Sequence, residues 1–184
     1  MEAFFISAVT VGLAEIGDKT QIVALMLAAR FPRPVPLLLG ILCAKLLNHG
    51  AAGLVATLLG SMLDGPWMGW ALGISFMGVA IWALFPDRYE AKGENVRRFG
   101  AFMSSLLAFF LAEIGDKTQI VTIALAARFE VFFPVVLGTT LGMMAANIPA
   151  VVIGNRMAKK LPLRAIRIAS AIPFAGLGAA TLLG

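Results

Sequence analysis

Residues 14–23 read AEIGDKTQIV, and residues 112–121 read AEIGDKTQIV again, each copy set inside a long apolar run. Glu, Asp, Lys, Thr and Gln are costly in such surroundings unless each is paired or hydrogen-bonded. Sliding the chain on itself by 98 residues aligns 14–31 with 112–129 at 15 identities in 18 positions, the differences falling at 24/122, 25/123 and 26/124. The register continues without a gap to Pro36/Pro134 and Gly40/Gly138. An internal duplication therefore covers at least the first two apolar runs of each half.

Composition places those runs. Of the 184 residues, 60% are hydrophobic and only 14% charged, with a mean hydropathy of +0.91, where soluble domains carry roughly a quarter charged residues. A helix of about 20 residues crosses the roughly 30 Å hydrocarbon layer, so this length accommodates six spans and no soluble domain. The expected spans are 3–29, 36–63, 67–85, 99–127, 131–154 and 166–183. Prolines after Arg30 stop the first, and Asp64-Gly65-Pro66 marks a turn before the third, where Trp67, Trp70 and Trp82 suit the membrane interface. The first span has neither a basic leader nor a small-residue cleavage site, so it reads as a retained helix.

The net charge of +5 sits largely between spans, which points to loops on an anionic lipid surface and not to nucleic acid. Of the 15 basic residues, Arg30, Arg33, Arg88, Lys92, Arg97, Arg98, Arg156, Lys159, Lys160, Arg164 and Arg167 fall on one side of a six-span arrangement and Arg128 alone on the other. The positive-inside rule makes the rich side cytoplasmic and puts both termini on the far side. The single Cys43, inside an apolar run, excludes an internal disulfide and a thiolate cluster.

The expected fold is thus an all-α membrane protein of six transmembrane helices, built as a first three-helix repeat (1–85), a cytoplasmic linker (86–98) and a second, inverted three-helix repeat (99–184). Three spans per unit means that the second unit enters the membrane the opposite way round, as in secondary transporters whose substrate site lies near the midplane between the halves. Glu15 and Asp18 lie 12 to 15 residues into their span, about 18–22 Å along a helix. Glu113 and Asp116 lie equally deep from the other face.

On a continuous helix Glu15, Asp18 and Lys19 share a face, as do Glu113, Asp116 and Lys117. Gly17 and Gly115 allow close approach of a neighbouring backbone or local unwinding, and Thr20, Gln21, Thr118 and Gln119 add neutral oxygens. Such an oxygen-rich set suits a hard divalent cation such as Ca²⁺ or Mn²⁺. Four carboxylates and two lysines sum to −2, which one divalent ion or two protons offset, so metal and protons are expected to compete for one site. The bland reading, in which buried Glu–Lys and Asp–Lys pairs only pin helices together, leaves the two near-identical copies unexplained.

Lys45, Asn48 and His49 form a second polar face on the second span, and the 98-residue shift maps them to Met143, Ala146 and Asn147. His49 and Asn147 are expected as supporting residues, either as ligands or hydrogen-bonded to a motif carboxylate or a helix backbone. Lys45 offsets an acid or serves structure. Pro149 and Pro173 kink the fifth and sixth spans.

At Glu15-Ile-Gly-Asp-Lys-Thr20 and Glu113-Ile-Gly-Asp-Lys-Thr118 the chain resembles the membrane cation/proton exchangers defined by two copies of E-x-G-D-[KR]-[TS], the Golgi calcium/manganese transporters of eukaryotes and manganese exporters of bacteria. The likeness runs over essentially the whole chain. It implies transport of Mn²⁺, with Ca²⁺ as a second candidate, out of the cytoplasm in exchange for H⁺. Glu15, Asp18, Glu113 and Asp116 would be the metal and proton site, Thr20, Gln21, Thr118 and Gln119 supporting ligands, and Lys19 and Lys117 charge-balancing groups. It further implies a bacterial inner membrane, no enzyme activity and no cofactor, the metal being cargo. A passive divalent-cation channel or uniporter is the alternative, since acidic rings also select cations. A hydrolytic metalloenzyme would more usually offer several histidines, and this chain has one. Glycine-rich helices leave a homo-oligomer open.

Overall fold

The computed structural model describes residues 1–60, 67–85, 100–153 and 163–183. These form eight helices and no strand: α1 (Glu2–Glu15), α2 (Lys19–Arg30), α3 (Pro34–Gly60), α4 (Trp67–Ala83), α5 (Ala101–Glu113), α6 (Lys117–Phe129), α7 (Phe132–Ile153) and α8 (Leu163–Leu183). The expected linker 86–98 lies outside the described residues, as do the basic residues at 88, 92, 97, 98, 156, 159 and 160.

The expected first and fourth spans are not single helices. Each is broken within the Ile-Gly-Asp of its motif, and the cause is local. Ile16 and Ile114 are extended, Gly17 and Gly115 take φ of 80° and 74°, and Asp18 and Asp116 are extended again. Positive φ is the region that glycine enters without a Cβ clash, and an extended Asp is a natural residue to open the following helix. Glu15 and Glu113 are therefore the last residues of α1 and α5, while Asp18 and Asp116 are the N-caps of α2 and α6.

Among the described residues, two helices are long and apolar enough to cross a membrane as single pieces, Pro34–Leu58 and Phe132–Val152, and Trp67–Ala83, Ala101–Glu113 and Ala171–Leu183 are shorter apolar helices. α7 and α8 continue through Pro149 and Pro173.

Packing repeats itself at positions 98 residues apart. α1 lies along α7, and α5 lies along α3. A Cβ built on Gly138 would strike the Phe4 carbonyl and Ser7, and one built on Gly40 would strike the Phe102 carbonyl and Ser105. Both contacts rest on glycine letting helix backbones approach, and each residue of the first contact is its counterpart in the second plus or minus 98. α2 packs on α7 and α6 on α3, while α3 and α7 also meet each other. The α4–α8 pair buries Phe76 and Phe174, again 98 apart, and rests on α6 and α1.

Polarity is reversed relative to a water-soluble fold. Glu15, Lys45, Glu113, Asp116 and Asn147 are all fully buried, whereas Leu39, Leu46, Leu47, Leu54 and Leu58 stand exposed along α3. Charged groups are almost never buried in soluble proteins unless paired, and a broad apolar surface marks contact with something other than water.

Candidate functional site

The helix breaks set the site. Because α1 and α5 stop at their glutamates, Glu15 and Glu113 project from helix ends and meet at Lys45 in the middle of α3. Lys45 Nζ lies 3.1 Å from Glu15 Oε1 and 2.5 Å from Glu113 Oε1, with all three side chains buried. Thr20 Oγ1 also donates to Glu15 Oε1. Asn147 Nδ2 donates to the same oxygen at 2.7 Å, and Asn48 Nδ2 donates to Glu113 Oε2 at 3.2 Å.

The aspartates take different partners. Lys117 Nζ pairs with Asp18 Oδ1 at 2.6 Å, and Lys19 Nζ with Asp116 Oδ1 at 3.0 Å. Each pair joins one motif to the other, and the two are reciprocal under the 98-residue shift. The expected common helical face of Glu15, Asp18 and Lys19, and of Glu113, Asp116 and Lys117, is thereby corrected. The rule of three- and four-residue spacing needs an unbroken helix, and the positive-φ glycine interrupts it. Lysine and aspartate of one motif part company, and each finds its opposite number.

The glutamines support the break. Gln21 Oε1 accepts from the Gly17 N–H at 2.9 Å, and Gln119 Oε1 accepts from the Gly115 N–H at 2.9 Å. Their amide nitrogens reach across to the other unit, Gln21 Nε2 to the Ala146 carbonyl at 3.1 Å and Gln119 Nε2 to Asn48 Oδ1 at 3.4 Å. Residues 48 and 146 are themselves 98 apart. Thr118 Oγ1 donates to Asp116 Oδ2 at 3.3 Å. The ring nitrogens of His49 take partners other than the motif acids: Nδ1 is 2.7 Å from Thr122 Oγ1 and Nε2 faces Met143 Sδ at 2.7 Å.

Of the residues singled out from the sequence, then, Glu15, Glu113, Thr20 and Asn147 come together at Lys45, and Asp18, Asp116, Lys19 and Lys117 form two cross-unit pairs. Asn48 and Lys45 contribute more than expected. Their signal was the polar face they share with His49, but Lys45 and Asn48 lose their polar character in the second copy and so drop out of the repeat. With Lys45 counted, the four carboxylates and three lysines sum to −1, one charge less negative than the motif alone.

Ion pairs that pin helices are therefore present, and among the described residues no three of His, Cys, Asp and Glu already converge on one point. The oxygens are nonetheless under-used. Glu15 Oε2 and Asn147 Oδ1 are buried with no hydrogen-bond donor, and Asp116 Oδ1 has only the Lys19 ion pair. A buried acceptor without a donor is costly, and a hard cation relieves that cost through oxygen ligation.

Comparison with known proteins agrees with this chemistry. A family model described as the divalent cation/proton antiporter GDT1 matches residues 3–91 and 101–184. The chain is 44% identical over 168 residues to a Vibrio cholerae serotype O1 protein named "Putative manganese exporter", covering 91% of this chain and 84% of the other. It is 27% identical over 201 residues to GDT1-like protein 3 of Oryza sativa subsp. indica, covering 95% and 71%. It is also 27% identical over 203 residues to a GDT1-like protein of Synechocystis, covering 95% and 93%. No solved structure matches the chain.

Proposed function

The chain belongs to the GDT1 family of divalent cation/proton antiporters, which are integral membrane proteins, and from that membership we propose that it exports Mn²⁺ in exchange for protons, with Ca²⁺ as a second cargo. The observation that carries this reading is the meeting of two identical motifs from the two halves around buried carboxylates. Glu15, Asp18, Glu113 and Asp116 bind metal or protons in turn. Thr20, Thr118, Gln21, Gln119 and Asn147 supply neutral oxygens or hold the acids in place.

Six spans form two inverted three-helix repeats, two of the spans being the broken pairs α1–α2 and α5–α6. Interrupted helices at membrane depth are tolerated where they line a site, and they aim helix ends at the bound ion. Both termini lie on the non-cytoplasmic side of a bacterial inner membrane. Lys19–Asp116 and Lys117–Asp18 tie the halves together, so rocking one half against the other works against these pairs.

The test uses everted vesicles from cells expressing the protein, acidified inside by respiration. Adding Mn²⁺ or Ca²⁺ should collapse part of the pH gradient as metal enters and protons leave. Metal entry that leaves the pH gradient intact would identify a channel or uniporter instead.

A further inference from the structure

The 98-residue correspondence runs through the glycine contacts, the Lys–Asp pairs and the glutamine bonds, and it breaks at the centre. The counterpart of Lys45 is Met143, so one ammonium from the first half serves the glutamates of both halves. Lys45 is wholly buried, with Met143 Sδ at 3.5 Å and the Phe109 ring centroid at 5.4 Å from its Nζ. It is held by Glu15 Oε1 at 3.1 Å and Glu113 Oε1 at 2.5 Å, oxygens that belong to the ends of two different helices. An ion such as Ca²⁺ binds oxygens at about 2.3–2.6 Å. A cation bridging the same two oxygens would therefore occupy the point where the ammonium sits.

Resting on the exchange reading above, we propose that Lys45 is a tethered cation that holds the metal's place between Glu15 and Glu113 and is displaced when cargo binds, so that it sets the affinity of the site. Two buried glutamates with no positive charge between them repel one another, and with a divalent ion between them they bind it tightly. A carrier must also release its ion, which calls for binding that is not too strong. A lysine on a flexible four-carbon stem supplies a competitor that never leaves the protein. The second half needs no such group, because one cation placed between the glutamates serves both. Pinning helices alone would be served as well by a lysine in each half, as the Lys19 and Lys117 pairs are.

The experiment measures Mn²⁺ binding by calorimetry on the purified full chain in detergent at one pH, for wild type, Lys45→Met and Lys45→Arg, alongside Mn²⁺ uptake into proteoliposomes. Lys45→Met, which copies the side chain of Met143, should bind Mn²⁺ on the order of tenfold to a hundredfold more tightly and turn over more slowly because release slows. Lys45→Arg should bind more weakly than wild type, since a guanidinium fork grips carboxylates with two bonds. A folded Lys45→Met protein, judged by its elution and unfolding temperature, that binds Mn²⁺ no more tightly than wild type overturns the proposal. Should Lys45→Met not fold, the Arg variant decides, and affinity equal to or above wild type overturns it. Wild type that neither binds nor moves metal overturns the exchange reading together with this one, whereas an active wild type with the wrong order of affinities overturns this one alone.

Discussion

Asp18 and Asp116 occupy equivalent positions, each the extended N-cap of a half-helix and each paired with a lysine from the opposite motif. Their equivalence has a measurable consequence: Asp18→Asn and Asp116→Asn should lower metal-driven proton movement to a similar degree, within about a factor of ten of each other, since each removes one of two matched pairs. Initial rates in everted vesicles check this, and a large effect confined to one aspartate would count against reciprocal roles. Competition between metal and protons gives a second expectation at this scale. Acidifying the side from which metal enters should raise the apparent KM for Mn²⁺, because protons occupy the carboxylates, and leave the rate at saturating metal much less affected. The identities of these acids were legible in the sequence because the motif is repeated. Their partners were not, because the spacing rule presumes a continuous helix. Lys45 was harder still to read, since its counterpart is an apolar Met143 and the repeat carries no sign of it.

At the level of elements, Gly17 and Gly115 convert two long apolar runs into four half-helices. The sequence admitted local unwinding at these glycines but could not separate it from close packing of a neighbour, because both uses need the missing Cβ. The structure separates them at Gly115, where a built Cβ meets nothing within 4 Å and only the positive φ demands glycine. Gly115→Ala should therefore destabilise by about 1 kcal/mol through backbone strain alone. Gly138→Ala, whose new methyl meets the Phe4 carbonyl, should cost about 1–3 kcal/mol by forcing α1 and α7 apart. Gly78→Ala in α4, with open space and ordinary helical backbone, should be neutral or slightly stabilising. Thermal unfolding in detergent ranks the three, and equal losses for all would contradict the distinction.

For the molecule as a whole, helical class and duplication followed directly from composition and the 98-residue shift, and reciprocal contacts such as Gly40 on α5 and Gly138 on α1 express that shift in three dimensions. The proposed membrane orientation rests on the asymmetry of basic residues. In a Cys43→Ala background, cysteines at positions 33 and 130 should react with an impermeant thiol reagent from opposite sides of the membrane, with position 33 cytoplasmic. Labelling of both from one side would contradict the inverted arrangement. We propose that metal and protons exchange at carboxylates shared by the two halves. Mn²⁺ flux into proteoliposomes under an imposed pH gradient, read together with an internal proton dye, distinguishes the possibilities for wild type and Asp116→Asn. Wild type should show metal uptake coupled to opposite proton movement, and both should be lost in the variant. Metal flux without a proton signal, or full coupled exchange by Asp116→Asn, would contradict it.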